Sequence, residues 1–234
     1  MSVALSPASV IELLKRLPLF NSLPERDLAW LADRTRVDHL ERDAVIFYQG
    51  DPCERVCILR QGQVKIVHHD EGGREVILEM ISSGEVFGGA VLFMPHHPAT
   101  SKAMEDADVV SFSSESYAEF LSSHPDVTIK LIRMLGMRLH SMMGLQVLAG
   151  ERVERRMAHI ILKLASRVGR PEDEGVLIPI SLSRQDLAEM AGTTLETAIR
   201  TMSRFRAQQL IKTLRGGYLL ITNEEALRQM ATKT

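Results

Sequence analysis

The stretch ISLSRQDLAEMAGTTLETAIRTMSRF, residues 180–205, constrains the fold of this chain more than any other segment. It holds two short apolar-periodic runs around one glycine, and a hydroxyl side chain precedes each run. Ser183 stands three residues before Asp186, the spacing of a capping box, so it is the expected N-cap of the first helix. Leu187 and Met190 recur at helical spacing and give that helix an inward face. Ala191-Gly192-Thr193 then turns the chain, and Thr194 is the expected cap of the second helix. Were Thr193 the cap instead, Glu196 would take the capping-box place and be drawn back onto the backbone.

The second helix has two faces. Ala198, Met202 and Phe205 fall at i, i+4 and i+7 and belong to a core. Glu196, Ile199, Arg200 and Ser203 fall on the opposite side. An Arg on such a face spans guanine O6 and N7, and a Glu accepts from cytosine N4, so the pattern suits a helix lying in a DNA major groove. The plainer reading is a helical hairpin with an i,i+4 Glu–Arg surface pair.

The flanking sequence favours the first reading. Residues 156–168 are amphipathic, with Met157, Ile160, Ile161 and Leu164 inward. GRPEDEG reads as an exposed loop, VLIPI as a short strand, and LIKTLRGGYLLI as a hairpin turning at Gly216-Gly217. Asn223 caps a last helix with Leu227 and Met230. Helix, strand, helix-turn-helix and hairpin together describe a winged helix. Charge follows the same division: residues 1–150 carry 14 Lys or Arg against 20 Asp or Glu, and residues 151–234 carry 14 against 10. The basic excess therefore lies with the helix-turn-helix, where phosphates would be met.

The N-terminal part changes period. Val10, Leu13, Leu14, Leu17 and Phe20, then Leu28 and Leu31 after Pro24, give residues 8–33 helical patterning. From about Asp43 the runs AVIFYQ, VCILR, QVKIVHH, EVILEMI and DVVSFS alternate with Gly, Asp and Pro clusters, the signature of an antiparallel barrel or jelly roll over roughly 20–118. Val127, Leu131, Met134, Leu135, Met142, Leu145 and Leu148 then make a long stripe. It predicts a helix over 126–148 that packs on its barrel and pairs with a second copy about a two-fold axis, Gly136, Ser141 and Gly144 permitting close approach. Ala149-Gly150 reads as the hinge. The expected class is α+β, with a β-domain over 8–124, a dimerisation helix over 125–149 and a DNA-binding domain over 150–234. No apolar run reaches membrane-span length and no signal core opens the chain, so the expectation is a cytoplasmic protein without a membrane partner. Cys53 and Cys57, if both on one strand, would share a face and serve sheet packing.

In this order the segments resemble the bacterial transcription regulators of the cyclic-AMP receptor protein and fumarate-nitrate regulator (Crp/Fnr) family. AVIFYQGDPCERVCILRQGQVKI and EGGREVILEMISSGEVFGGAVLF resemble its cyclic-nucleotide-binding-type jelly roll, and SLSRQDLAEMAGTTLETAIRTMSRF its DNA-reading motif. The resemblance implies a homodimer on double-stranded DNA, with RNA polymerase as a protein partner. It makes Glu196 and Arg200 base-reading residues of a palindrome with GA-containing half-sites. Leu195 stands where one subgroup has a further base-reading arginine, and Ile199 where another has a serine; Ile199 suits a thymine methyl. Ser183, Arg184, Thr194, Ser203 and Arg204 are candidates for the DNA backbone.

The effector site departs from the family pattern. The resemblance places it at Gly88, Gly89, Ala99, Thr100, Met142 and Met143. Gly89 replaces the ribose-binding glutamate and Ala99 the phosphate-binding arginine. Burying a cyclic phosphate without a cation is unfavourable, so cyclic AMP is not expected as the effector; Lys102 lies nearby and would compensate only with a shifted loop. The N-terminal cysteines of an iron-sulfur regulator are missing. No cofactor or metal is expected, with haem kept as the alternative and His68, His69, His96, His97 and His140 as its candidate ligands. Two further alternatives come from other classes. A metal-dependent enzyme of barrel type lacks three converging ligands, and a Cys-His nucleophile lacks an orienting acid. A protein-binding helical hairpin is the remaining rival.

Overall fold

Ser6 accepts a hydrogen bond from the Ser9 amide and Pro7 sits at the first helical position, and this cap starts α1 (Pro7–Arg16). The computed structural model describes residues 6–69, 75–89, 94–146 and 152–232, without the side chains of 138–146. Contacts divide the chain into two compact units, Met1–Leu139 and His140–Thr234.

In the first unit α1 and α2 (Glu25–Ala32) precede eight strands: β1 (Thr35–Leu40), β2 (Val45–Phe47), β3 (Arg55–Gln61), β4 (Gln63–His69), β5 (Glu75–Ser82), β6 (Val86–Phe87), β7 (Thr100–Ala103) and β8 (Ala107–Ser113). They form two four-stranded sheets, ordered β1-β8-β3-β6 and β2-β7-β4-β5, with every neighbouring pair antiparallel. This is the jelly roll expected. The period of two, with a core on each face, explains why Val56–Leu59 of β3 and Val109–Phe112 of β8 are buried in unbroken succession. Val56, Ile58, Val110 and Phe112 face a core shared with the helices, while Cys57, Leu59 and Val109 face the space between the sheets. Phe20 anchors the helical side, its ring 6.4 Å from Phe112 and 6.2 Å from Phe120 in edge-on contact.

Several elements differ from the sequence reading. Residues of SESYAEFLSS form α3 (Ser114–Ser123), capped by Ser113, with Tyr117, Phe120 and Leu121 buried. Strands β1, β6 and β7 were not expected; they carry little apolar alternation and are specified by their partners. Cys53 precedes β3 rather than sharing it with Cys57, so the two thiols do not line one strand face. Helix α4 (Pro125–Gln146) follows. Its Val127 and Leu131 complete the helical core and Met134 packs on it, whereas Ile129, Ile132, Leu135 and Met137 are exposed. Leu148 and the expected Ala149-Gly150 hinge lie outside the described residues. No helix among the described residues is long and apolar enough to cross a membrane.

The second unit is a winged helix. It comprises α5 (Val153–Val168), β9 (Arg170–Glu172), β10 (Gly175–Ile178), α6 (Arg184–Met190), α7 (Leu195–Ala207), β11 (Ile211–Thr213), β12 (Leu219–Ile221) and α8 (Glu224–Thr232). The strands make one sheet, ordered β11-β12-β10-β9. The segment read as a loop, GRPEDEG, is instead half of a hairpin, with β9 pairing antiparallel to β10. Its proline and acidic residues conceal a strand because β9 is exposed and edge-lying, where Pro is tolerated. Gly175 is required by this packing: its φ is +144°, and a Cβ there would lie 1.9 Å from the Ile221 carbonyl oxygen.

Candidate nucleic-acid interface and sensory pocket

Local chemistry shapes the helix-turn-helix from both ends. Ser183 accepts from the Asp186 amide and the Asp186 carboxylate accepts from the Ser183 amide, which completes the expected capping box of α6. Gly192 adopts φ +57° and the Thr193 amide donates to the Ala188 carbonyl, which closes the helix end. Thr194 then caps α7 by accepting from the Thr197 amide. Glu196 is therefore not drawn into a capping box. Ala198, Met202 and Phe205 are wholly buried, as is Leu187, while Met190 is only half-buried.

The opposite face of α7 is open. Leu195 and Ile199 are 43% and 45% exposed, and Glu196, Arg200, Ser203 and Arg204 are exposed beside them. Glu196 and Arg200 make no hydrogen bond or ion pair with any described residue, so the Glu–Arg surface pair of the plainer reading is not formed. The remaining candidates are already engaged inside the unit. Arg184 donates to the Thr213 hydroxyl on β11 at 3.0 Å and is half-buried. Burial, then the neighbouring Arg206, lowers its pKa from the ordinary guanidinium value. The Ser203 hydroxyl accepts from Arg206, and the Thr194 hydroxyl meets that of Thr197. Arg204 is ion-paired with Glu154 of α5.

Two residues outside the sequence reading hold this face in place. Arg156 of α5 donates to the Ala191 and Gly192 carbonyls at the turn. Ser181 donates to the Gly216 carbonyl at 2.6 Å and fixes the wing tip. The arginine had no distinguishing sequence signal, since its partners are backbone atoms 35 residues away. Ser181 likewise depends on a contact 35 residues distant.

In the first unit, the described residues expected at the effector site are partly taken up by packing, while a Cβ at Gly89 would meet no described atom within 4 Å. Ala99 and Thr100 are buried, and the Thr100 hydroxyl accepts from the Gln49 amide at 2.9 Å. Gly88 and Gly89 are half-buried, and a Cβ at Gly88 would lie 3.5 Å from the Phe47 ring. Phe47 stacks on His97 with ring centroids 3.7 Å apart. Lys102 is 3.2 Å from Asp43 in an ion pair. Met142 and Met143 lie on α4, with side chains outside the described set. A cavity of about 570 Å³ lies beside this region, lined by Asp38, Phe47, Arg55, Cys57, His97 and Ser111 among others. Burial pushes the Cys57 thiol up to about 12 and lowers the His97 pKa. Of the candidate histidines, His68 and His96 are exposed, His69 faces Glu75 and His97 is buried, while the His140 side chain lies outside the described residues. Among the described residues, no three His, Cys, Asp or Glu side chains form a metal-binding group.

Comparison with known proteins gives two family matches in the same order as the two units. Residues 37–124 match the cyclic nucleotide-binding domain and residues 155–230 the Crp-like helix-turn-helix domain. The chain is 28% identical over 223 residues to the CRP-like cAMP-activated global transcriptional regulator of Mycobacterium tuberculosis, covering 94% of this chain and 99% of that one. It is 28% identical over 200 residues to the global nitrogen regulator of Synechocystis, covering 84% and 88%. The solved structure of FixK2 from Bradyrhizobium japonicum superposes with a TM-score of 0.76 at 22% identity, covering 86% of this chain and 98% of that one. These relatives are regulators and not enzymes by name, and the FixK2 likeness shares the two-part fold. With both family matches along one chain and relatives aligned over nearly all of it, the chain belongs to the Crp/Fnr family of transcription regulators.

Proposed function

We propose that this protein is a homodimeric, sequence-specific DNA-binding transcription regulator that reads a palindrome with GA-containing half-sites and does so without cyclic AMP. The observation that carries this reading is the uncommitted pair Glu196 and Arg200, one turn apart on the exposed face of a helix whose other face is wholly buried. Arg200 reads guanine, Glu196 accepts from cytosine, and Ile199 and Leu195 offer apolar contact to thymine methyls. Ser183, Arg184, Thr194, Ser203 and Arg204 supply the backbone side of the interface. In a two-fold dimer the two copies of α7 enter successive major grooves about 34 Å apart.

The exposed Ile129, Ile132 and Met137 of α4 support pairing of that helix with a second copy. Independence from cyclic AMP is supported by Gly89 and Ala99 standing where the family binds ribose and phosphate. Lys102 is already paired with Asp43, and burying a cyclic phosphate without a free cation is unfavourable. Promoter position then sets activation or repression through RNA polymerase.

The test is selection of a palindromic DNA library by the purified protein, at one stated salt concentration and with no nucleotide added. A two-fold motif with GA-containing half-sites is expected, and Arg200→Ala is expected to lose base preference while remaining dimeric. No enriched motif without nucleotide, or an Arg200→Ala variant with unchanged preference, would sink the reading.

A further inference from the structure

Where α5 begins beside α7, a cavity of about 370 Å³ is lined by Arg152, Glu154, Thr197, Arg200, Thr201 and Arg204, with Val153 between them. Its chemistry is one-sided. Three guanidinium groups and two threonine hydroxyls are donors, against one carboxylate. Thr201 is only 4% exposed and stands in this wall. Such a wall suits an anion with several acceptor oxygens. Glu154 is the anion within reach: its carboxylate pairs with Arg204, and both side chains keep contact with solvent, at 35% and 51% exposure. As an acidic residue in the first turn of α5, Glu154 also suits the positive end of that helix.

We infer that this cavity is a docking site for a phosphate of the DNA backbone, and that Glu154 is a built-in competitor which must leave Arg204 before the phosphate engages it. The inference rests on the DNA-binding reading and adds a gate to it. Arg204 enters the complex with its charge already neutralised, so its exchange of carboxylate for phosphate releases little net free energy. Glu154, once displaced, remains beside the polyanion and repels it. Both effects weaken binding to every sequence alike, because phosphate contacts carry no base information. Arg200 shares the cavity but not the ion pair, so base reading is separable from the gate.

The experiment measures affinity of the full chain for the selected palindrome and for a scrambled duplex across a salt series. The variants are Glu154→Gln, Arg204→Gln and the pair together, with Arg200→Ala as the base-reading control. Glu154→Gln keeps the side-chain shape and is expected to tighten binding to both duplexes by roughly 3–10-fold and to steepen the salt slope by about 0.9, the value of one phosphate contact. Arg204→Gln is expected to weaken binding, and in that background Glu154→Gln is expected to do little. Unchanged or weaker binding by Glu154→Gln overturns the gate. Equal tightening with and without Arg204 also overturns it, since that reports charge alone. A wild-type protein that binds the palindrome no better than the scrambled duplex, or an Arg200→Ala variant that keeps the palindrome's advantage, strikes the base-reading proposal instead and leaves the gate to be judged on the scrambled duplex. Absence of binding to either duplex overturns both.

Discussion

Arg156 holds the turn of the helix-turn-helix shut from the neighbouring helix: its Nε donates to the Ala191 carbonyl at 2.8 Å. The carbonyls of Ala191, the C-cap of α6, and of Gly192 just beyond it have no partners within that helix, and the guanidinium meets both while adding positive charge near the negative end of the helix dipole. The angle between α6 and α7 is thus set partly by α5.

Arg156→Ala should destabilise the C-terminal unit by about 1–3 kcal/mol, the cost of leaving such acceptors without their charged donor. Arg156→Lys should recover part of that, since one ammonium cannot span both carbonyls. Thermal melts would give the stability order, and DNA binding should fall in the same order. A stable Arg156→Ala variant with normal DNA binding would show that α6 and α7 hold their angle unaided.

Ile132 is 62% exposed on α4, with Ile129 and Met137 on exposed positions nearby. A charge at the centre of a paired apolar seam is costly to bury, so Ile132→Glu should convert a dimer to monomer at micromolar concentration. Light scattering would report the mass, and melting of the first unit should change little because Ile132 is outside its core. A variant that remains dimeric would place the two-fold contact elsewhere.

His97 gives the first unit a pH dependence of known sign. Burial lowers its pKa below the ordinary 6.5, with Asp51 opposing the shift. The neutral ring stacked on Phe47 is therefore favoured in the folded state. Above pH about 6.5 both folded and unfolded states hold a neutral ring, and its contribution is fully present. As pH falls below that value the unfolded chain takes up the proton first, and stability is lost until the folded pKa is passed. His97→Gln should flatten the fall in melting temperature between pH 7.5 and 5.5. An identical fall in both proteins would assign the effect to other groups.

The legibility of this fold follows from where its signals are stored. The capping box at Ser183 and Asp186, the Thr194 cap and the stripe Ala198, Met202 and Phe205 are local, and all appear in the structure as read. Strand β7, Thr100–Ala103, is different. It has little apolar character, yet Thr100 and Ser101 are buried, because β2 and β4 flank it on both sides. Strand β1 mixes Arg36, Asp38 and His39 into its run. Its edge position is held by pairing with β8 and by the Asp108 carboxylate 2.8 Å from His39. Helix α3 could have been found from Tyr117, Phe120 and Leu121 at i, i+3 and i+4, but its serines resemble a loop. Among candidate site residues, Glu196 and Arg200 were readable because helical period fixes their direction. The cavity beside Phe47 and His97 was not, since its walls come from strands brought together only by the sheet order.

The two-sided character of α4 sets where this protein can be cut. Val127 and Leu131 are fully or nearly fully buried with Phe20, Leu28 and Phe120, so the opening turns of the helix are part of the jelly-roll unit's interior. A fragment ending at His124 would bare the aromatic floor of that unit and lose two large side chains from it, a deficit of several kcal/mol. The smallest autonomous piece must therefore run on through Met134, and it carries with it the start of the surface proposed to pair two copies. A monomeric sensory unit is then a matter of changing side chains such as Ile132, and not of choosing an earlier stop.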